Sequence, residues 1–393
     1  MLQNYVQYNP EKIIFGKGTE CQVGQEVARY SKNCLLHYDG GDYIHPLLER
    51  IRQSLTEAGV TFYELGGVEP NPRLTLVRKG IEMVKEHNIG FILAVGGGST
   101  MDSAKFISVG TYYDGDIWNH GRFAPIHTPI IPKGVVLTLP GTGSEVSTSA
   151  VIRNDEVDPE IKNCFFAEEF RFDFAIINPE LTYTLPPSQT AAGAYDIISH
   201  SMEDYFTSTE DAEYLWGVCE TVINSVMKNV QIALKDPTNY TARANICRVA
   251  YVPLEDIMDR GTQYNFCVHN IEKPVTGTYH STHGKILAIM MPAWMKYCYK
   301  TNIPLFMRLC VNCFGAKPDY DHPENTIMEG IRNLEHFTHD IGLPTRLSEI
   351  GIDDSKFEYL ADLAVWGDRE NGYVGQVTKM KFEDIIEIYK LAL

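Results

Sequence analysis

The chain has 393 residues, of which 44% are hydrophobic and 22% charged, a balance typical of a globular protein long enough for two domains. Its net charge of −17 disfavours nucleic acid and anionic membranes as partners. The first residues lack the basic and apolar segments of a secretory signal, and no apolar run approaches the roughly 20 residues that a membrane span needs. We therefore expect a cytoplasmic protein without a membrane partner.

The nine cysteines are odd in number and scattered, mostly among apolar neighbours such as Leu35 and Leu36 beside Cys34. This usage is typical of buried free thiols in a reducing compartment. Cys310 and Cys313 form a single CxxC pair, and because no second pair accompanies it we favour packed helix residues over a redox or zinc role.

Short apolar segments alternate with amphipathic ones in the first half of the chain. Apolar runs predict strands at residues 33–38, 60–65, 90–95, 134–139 and 174–177, and helical periodicity predicts helices at 46–58 and 74–87. The segment 90–95 is almost entirely apolar, as expected for a central parallel strand covered on both faces. The alternation predicts an α/β domain with a parallel sheet.

The pattern changes near Pro186, where long helical segments replace the strand-like ones. Residues 212–235 and 323–341 are two of these segments, and each ends shortly before a proline. We therefore predict two domains, an α/β domain over residues 1–185 and an all-helical domain over residues 186–393.

Two glycine-rich turns follow predicted strands. Residues 96–105 have the sequence GGGSTMDSAK, and three successive glycines permit positive φ and close approach of a ligand to the backbone. We predict a helix that begins near Ser99 and presents free N–H groups to a diphosphate, although Ser99 is also a good helix N-cap. A tight turn without a ligand is the alternative, since the segment matches neither GxGxxG nor a Walker A loop. Residues 138–145 form the second turn, and two such turns at one sheet edge suggest a dinucleotide.

Four of the twelve histidines and one aspartate fall into two short clusters. Asp196 and His200 are four apart, so a helix would place both side chains on one face. His280 and His283 are three apart and are predicted to share a face as well, while His269 precedes them by enough residues for a second helix or a bend to aim it at the same point. One carboxylate with neutral imidazoles suits a divalent transition metal such as Fe²⁺ or Zn²⁺. From spacing alone, incidental core histidines are the alternative.

These motifs together resemble the signatures of the iron-containing, or group III, alcohol dehydrogenase family, and within it the butanol dehydrogenase and aldehyde reductase branch. The motifs concerned are GGGSxxDxAK at 96–105, the turn at 138–145, the segment 193–203, and His269 with His283-Gly284. The order of Phe15-Gly16, Pro70-Asn71-Pro72 and Gly342-Leu343-Pro344 also matches, so that the similarity covers nearly the whole chain. It implies a Rossmann-like N-terminal domain that binds NAD(P)(H), a helical C-terminal domain that binds a divalent metal, and the two-domain plan of dehydroquinate synthase.

The resemblance also implies roles for individual residues. The four that match the family's metal ligands are Asp196, His200, His269 and His283. Those that match its cofactor site are Asn71, Gly97, Gly98, Ser99, Asp102, Thr138, Thr142 and Lys162. Gly97, Gly98 and Ser99 would hold the pyrophosphate. Lys162 has flanking residues that differ from the family pattern, and an exposed lysine without a cofactor role is its alternative.

Asp39 bears on the choice of nucleotide. Relatives that use NADPH tend to have Gly-Gly-Gly-Ser where this chain has Asp39-Gly40-Gly41-Asp42. Asp39 could accept hydrogen bonds from the ribose hydroxyls, and two carboxylates would repel a 2′-phosphate. We therefore predict NAD(H) over NADP(H), with ordinary turn residues as the alternative interpretation.

The predicted activity is the interconversion of short-chain, butanol-like primary alcohols and their aldehydes. By resemblance, the metal acts as a Lewis acid on the substrate oxygen while hydride passes between the nicotinamide and the substrate carbon. His280 is our first candidate for a proton shuttle because imidazole titrates near neutrality, and a place in the substrate wall is its alternative. We expect a homodimer that acts on a small-molecule aldehyde or alcohol.

Lys273 lies at a departure from the family pattern. Relatives often have Ile-Glu-His-Glu where this chain has Ile271-Glu272-Lys273-Pro274, so that a lysine replaces a histidine near the nicotinamide. Pro274 is expected to disfavour helical backbone at residue 273. The Lys273 ammonium could pair with a carboxylate, sulfonate or phosphonate on the substrate. We therefore count Lys273 with His280 as a catalytic candidate, with a lysine pointing to solvent as the alternative.

Two other classes of function stay open at this point. A metal lyase on the same scaffold would share the two-domain plan, and turnover of NADH would distinguish the two enzymes. A non-catalytic binding protein would need a vestigial metal site, and the measured metal content would decide.

Overall fold

The computed structural model describes residues 1–157, 160–256, 258 and 260–393. The chain divides into two compact units, one formed by Tyr8–Thr184 and the other by Met1–Gln7 together with Leu185–Leu393. The first residues belong to the second unit, where the Gln3 amide donates to the Gly261 carbonyl oxygen at 2.7 Å.

The first unit is an α/β domain. Its strands are β1 (Lys12–Phe15), β2 (Asn33–Asp39), β3 (Thr61–Val68), β4 (Phe91–Gly96), β5 (Lys133–Leu137), β6 (Ser149–Asn154), β7 (Ile161–Phe166) and β8 (Phe174–Ile177). Its helices are α1 (Val23–Ala28), α2 (His45–Glu57), α3 (Leu74–Glu86) and α4 (Gly98–Gly110). The predicted α/β class and its five predicted strands are confirmed, whereas β1 and the β6–β7 hairpin were not predicted.

Six of these strands form one parallel sheet in the order β1-β8-β5-β4-β2-β3. Every residue of β4 is buried, as predicted for a central strand covered on both faces. The chain runs outward from β2 to β3 and then returns to the other side of β2 to form β4. This reversal makes a topological switch point between β2 and β4, and open α/β sheets bind ligands at the carboxyl ends of such strands.

The second unit is helical. Its helices are α5 (Pro187–Tyr205), α6 (Glu213–Lys235), α7 (Tyr240–Ala250), α8 (Cys267–Tyr279), α9 (His283–Cys298), α10 (Ile303–Phe314), α11 (Pro323–Asp340), α12 (Phe357–Ala364) and α13 (Phe382–Leu391). Apolar residues from α5 to α13 form one continuous core. Within the described residues, no helix is both long and apolar enough to cross a lipid bilayer.

The nine cysteines, all within the described part of the chain, are free thiols, and all but Cys21 are buried. Cys310 and Cys313 lie in α10, and burial raises the pKa of the Cys310 thiol to about 12. A thiol with so high a pKa is a poor nucleophile and a poor metal ligand near neutral pH. This agrees with the prediction of packed helix residues.

Candidate metal centre and nucleotide site

The helix α5 carries the first two predicted metal ligands. Asp196 and His200 are one turn apart and both are buried, as their spacing predicted. The Nδ1 atom of His200 lies 3.6 Å from Oδ1 of Asp196. The N-terminal part of this helix contains alanines and Gly193, and these small side chains allow neighbouring helices to approach it closely.

Two further helices bring the other predicted ligands to Asp196. His269 lies in the first turn of α8, and its Nε2 is 3.7 Å from Oδ1 of Asp196. His283 is the first residue of α9, and its Nε2 is 3.5 Å from the same oxygen. The close approach of α9 to α5 depends on Gly284, because a β-carbon there would lie 2.1 Å from the carbonyl oxygen of Ala192.

The donor atoms of this cluster fit a divalent metal. Asp196, His200 and His269 each offer one ligand atom, and these atoms lie within 4.8 Å of one another. Among the residues that the structure describes, none forms a hydrogen bond to Asp196 Oδ1, His200 Nδ1 or His269 Nε2, although all three atoms are buried. Bonds of the length found at zinc place tetrahedral ligands about 3.3 to 3.6 Å apart, close to the observed separations. Buried polar atoms without partners are costly, and a cation among them would remove that cost.

The electrostatics of the cluster also favour a cation. Burial alone would raise the pKa of Asp196, but the surrounding imidazoles hold it below its ordinary value. Burial lowers the pKa of His200 to about 3, so that its ring is neutral near pH 7 and keeps a lone pair for a metal. Burial opposes protonation of His269 as well, yet the carboxylates of Asp196 and Glu203 raise its pKa to about 9. The carboxylates therefore create a negative potential at this point.

The prediction that His280 and His283 share one helical face is wrong. Helix α8 ends at Tyr279, His280 follows it in the left-handed conformation with φ 49°, and α9 begins at His283. A left-handed residue directly after a helix ends it, so the two histidines lie on different elements. The His280 side chain is exposed.

The backbone expected around Lys273 also differs from the prediction. Helix α8 continues through Pro274, so that Lys273 is helical. Its side chain is half-buried and donates to Asn270 Oδ1 at 3.1 Å, and its positive charge contributes to the lowered pKa of His200. Lys273 therefore lies close enough to the histidine cluster to act on it electrostatically.

The glycine-rich turn after β4 forms the start of α4. This helix begins at Gly98, one residue before the predicted start near Ser99, and its N-cap is Gly97, so Ser99 is not the N-cap. A β-carbon on Gly98 would lie 2.7 Å from the Thr142 side chain, which shows why the helix start has no room for a larger residue. In the part of the chain that the structure describes, no side chain caps the first turn of α4. Its first amide groups are thus available to an anion.

Several predicted cofactor residues meet at this turn. Ser99 Oγ accepts a hydrogen bond of 3.2 Å from the amide of Asn71, which has a left-handed backbone with φ 59°. The Thr138 amide donates to the Gly96 carbonyl oxygen at 3.0 Å, and this bond joins the second glycine-rich turn to the first. The ends of β4 and β5 therefore carry a connected loop system on one side of the switch point of the sheet.

Asp102 and Lys162 lie next to this loop system. The Asp102 carboxylate accepts hydrogen bonds from Ser144 Oγ at 2.7 Å and from the Val151 amide at 3.0 Å. Burial raises the pKa of Asp102, and the positive charges of Lys105 and Lys162 partly offset this effect. Asp102 thus holds the second glycine-rich turn and the β6–β7 hairpin against α4, while Lys162 projects from β7 in a half-buried position.

Asp39 ends β2 on the other side of the switch point. Its Oδ1 accepts a hydrogen bond from the Gly41 amide at 3.0 Å, and its Oδ2 accepts one from the Tyr43 hydroxyl at 2.7 Å. The Tyr43 ring lies against Gly41, where a β-carbon would approach it to 2.2 Å. The carboxylate is therefore fixed in orientation at the edge where a nucleotide ribose is expected.

Three side chains at these sites were not predicted. Glu203 and Glu272 contact predicted ligand histidines, and Tyr43 holds Asp39. The helical spacing carries a signal for the two glutamates, since Glu203 follows His200 by three residues and Glu272 follows His269 by three. Tyr43 has no comparable signal, because the turn that brings it back to Asp39 is not periodic.

Both halves of the chain match family models. Residues 10–179 match the model for iron-containing alcohol dehydrogenase, and residues 190–393 match the model for the C-terminal part of the Fe-containing alcohol dehydrogenase family. The chain belongs to the iron-containing alcohol dehydrogenase family and is an oxidoreductase of the alcohol dehydrogenase type. The resemblance read from the motifs is thereby confirmed.

Named relatives and a solved structure agree with this assignment. The chain is 35% identical over 383 residues to NADH-dependent butanol dehydrogenase A of Clostridium acetobutylicum, which covers 97% of each chain. It is 30% identical over 363 residues to the NADPH-dependent aldehyde reductase YqhD of Escherichia coli, which covers 91% of this chain and 92% of that protein. The crystal structure of NADH-dependent butanol dehydrogenase A from Thermotoga maritima superposes with a TM-score of 0.91 at 32% identity, covering 100% of this chain and 99% of the other.

Proposed function

We propose that this protein interconverts short-chain aliphatic aldehydes and primary alcohols with NAD(H), and that a divalent metal bound by Asp196, His200, His269 and His283 is required. The observation that carries this proposal is the set of buried Asp196, His200 and His269 ligand atoms without hydrogen-bond partners among the described residues. The proposal is also supported by relatives whose names include butanol dehydrogenase and aldehyde reductase.

The proposed reaction uses two sites, one for the metal and one for the nucleotide. A metal bound by the Asp196 cluster would supply Lewis acidity toward the substrate oxygen, and a bound nicotinamide would supply or accept the hydride. Gly97, Gly98 and Ser99 would seat the pyrophosphate at the start of α4. We assign the proton to the ring of His280, which is exposed to water and lies three residues before His283.

The preference for NAD(H) rests on Asp39. Its carboxylate lies at the carboxyl end of β2, beside the strand that leads into the glycine-rich turn. A ribose with free hydroxyls could donate to this carboxylate, whereas a 2′-phosphate would meet its negative charge. The relatives include one that depends on NADH and one that depends on NADPH, so the preference needs its own measurement.

The metal is Fe²⁺ or Zn²⁺ in this proposal, since one carboxylate and three imidazoles suit both ions. Cytoplasmic localisation is supported by the nine free thiols, which suit a reducing compartment. The homodimer stays a prediction that light scattering of the purified protein would test.

The direct experiment is an activity assay of the purified, metal-depleted protein. We expect NADH oxidation with butanal to appear on addition of Fe²⁺ or Zn²⁺ and to disappear with a chelator. Replacing Asp196 with Ala should lower kcat/KM by roughly 100-fold or more, because the site loses its only carboxylate ligand. Full activity after metal removal, or in a correctly folded Asp196→Ala protein, would contradict the proposal.

A second candidate function is the reduction of a small anionic aldehyde. Lys273 lies half-buried on the same helix as His269, one turn away, and its charge acts on His200. An ammonium in this place could pair with a carboxylate, sulfonate or phosphonate of the substrate. The Lys273→Ala variant should then lose kcat/KM on acidic aldehydes and keep it on butanal, with Lys285→Ala as a matched control. An equal loss on both substrate classes removes this candidate.

A further inference from the structure

Two buried carboxylates lie behind the predicted metal ligands. Glu203 is 1% exposed and Glu272 is not exposed at all. Each contacts the Nδ1 atom of one histidine, Glu203 that of His269 and Glu272 that of His283. In both histidines the other ring nitrogen, Nε2, faces Asp196.

Glu203 connects the two helices that carry ligands. It lies on α5, one turn beyond His200, and reaches the N-terminus of α8. Its Oε2 accepts a hydrogen bond from the Cys267 amide at 2.8 Å, and its Oε1 accepts one from the His269 amide at 2.9 Å and lies 3.2 Å from His269 Nδ1. Glu203 thus satisfies free amides at the start of α8 and fixes the ring of the ligand that this turn carries.

Glu272 connects α8 to the start of α9. Its Oε1 contacts His283 Nδ1, and its Oε2 accepts a hydrogen bond from the Thr276 hydroxyl one turn further along α8. Thr276 and His283 thus lie at different oxygens of the carboxylate, Thr276 as a hydrogen-bond donor and His283 as an ion-pair contact.

The chemistry of this arrangement sets the histidine tautomers. An ionised carboxylate only accepts hydrogen bonds, so the proton of a neutral ring in contact with it lies on Nδ1. The lone pair then lies on Nε2, the atom that faces Asp196 at 3.7 Å in His269 and 3.5 Å in His283. His200 differs, because its Nδ1 is the atom that faces Asp196.

The charges point to the same role. Asp196, Glu203 and Glu272 place three carboxylates in one buried region, and buried charges require compensation. A divalent cation at the Asp196 cluster would compensate most of this negative charge. Glu203 and Glu272 would in turn increase the electron density of the imidazoles that hold it.

We propose that Glu203 and Glu272 are positioning residues that orient His269 and His283 and strengthen metal binding. This inference rests on the metal site of the proposed function. It assigns a role to two side chains that contact predicted metal ligands and are not predicted ligands themselves.

The test uses Co²⁺ as the probe and measures its affinity by competition with a chelator, together with the visible absorption of the bound ion. Glu272→Leu should bind Co²⁺ roughly 10- to 100-fold more weakly than the unaltered protein, with a changed absorption spectrum. Glu272→Gln should lose less, because its amide oxygen still accepts from Nδ1 while the negative charge is gone. Glu203→Gln should show a similar intermediate loss.

The controls separate this proposal from the proposed function and from misfolding. Glu220→Gln removes a carboxylate that is bound by Tyr205 and Arg308 in the same unit, and it should bind Co²⁺ like the unaltered protein. Thermal unfolding of each metal-free variant checks that it folds. If the unaltered protein binds no Co²⁺, the proposed metal site fails and this inference fails with it. If it binds Co²⁺ and folded Glu272→Leu and Glu203→Gln bind as tightly, the inference alone is overturned.

Discussion

At the scale of single residues, Asp39 offers a test of nucleotide choice. Replacing it with Ser removes the negative charge at the end of β2, and we expect the ratio of kcat/KM for NADPH to that for NADH to rise roughly 10- to 100-fold. Tyr43→Phe is the matched control, because it removes the 2.7 Å hydrogen bond to Asp39 and leaves the charge in place. Steady-state kinetics with both nucleotides would measure the ratio. An unchanged ratio in Asp39→Ser would show that Asp39 is an ordinary turn residue.

Glu145, in the second glycine-rich turn, gives a prediction for pH dependence. Its carboxyl is buried, forms no hydrogen bond to another described residue, and has a pKa raised to about 7 by burial. The folded protein therefore keeps a proton that the unfolded chain releases near its ordinary value of 4.5. The protonated Glu145 carboxyl therefore contributes to the free energy of unfolding in full below pH 4.5. This contribution is lost as the pH rises through about 7.

Glu145→Gln should remove this loss because the amide stays neutral. The free energy of unfolding of the variant should exceed that of the unaltered protein by roughly 1 to 3 kcal/mol at pH 8, and the difference should shrink toward pH 5. Denaturant unfolding at a series of pH values would measure it. A difference that does not vary with pH would show that Glu145 ionises freely in the folded protein.

At the scale of elements, the approach of α9 to α5 depends on Gly284. Gly284→Ala places a methyl group against the Ala192 carbonyl oxygen, and we expect a loss of about 1 to 3 kcal/mol in the free energy of unfolding. His283 precedes this residue directly, so Co²⁺ affinity should fall as well. Gly277→Ala in α8 is the control, since among the described residues its β-carbon would meet no atom within 4 Å outside the adjacent backbone of its own helix, and alanine should slightly favour the helix. Equal behaviour of the two variants would contradict a steric role for Gly284.

The elements that the sequence could predict are those with strong local patterns. The apolar run at residues 90–95 indicated a central strand, and β4 is that strand. The strand β1 has four residues and depends on pairing with β8, which lies more than 150 residues away in the chain. Long-range pairing, which no local window contains, therefore decides β1. In the β6–β7 hairpin, β6 alternates half-buried and buried positions but includes Ser149, Arg153 and Asn154, and β7 has an exposed end, so neither strand forms an apolar run.

The course of α8 shows why part of the site could not be predicted. A helix through Pro274 loses a backbone hydrogen bond, and the sequence therefore indicated a break. Tertiary contacts outweigh that preference: Glu203 holds the first amides of α8, and the Tyr389 hydroxyl donates to the Ile271 carbonyl oxygen at 2.6 Å. The helix then ends at His280, which has a left-handed backbone conformation that no local sequence pattern predicted. Spacing thus predicted the proximity of Asp196 and His200 correctly but not the separation of His280 from His283.

At the scale of the whole molecule, the two units should respond to different ligands. The candidate metal ligands all belong to the unit of Met1–Gln7 and Leu185–Leu393, and the predicted nucleotide contacts all belong to Tyr8–Thr184. A bound ligand disfavours those local openings that destroy its own site, and at 100 times its Kd it slows exchange through them by about 100-fold. Each ligand is therefore expected to protect a different set of amides.

Hydrogen exchange followed by mass spectrometry would measure this protection. Zn²⁺ should slow exchange in peptides that cover residues 195–205 and 267–284, while NADH should slow it in peptides that cover 96–101 and 138–144. Peptides from α11, which carries no predicted ligand, serve as the internal control. Their amide exchange rates should be the same with and without each ligand. If Zn²⁺ instead protected the glycine-rich turns and left α5 unchanged, the metal would not bind at the Asp196 cluster, and the assignment of the two sites to the two units would be wrong.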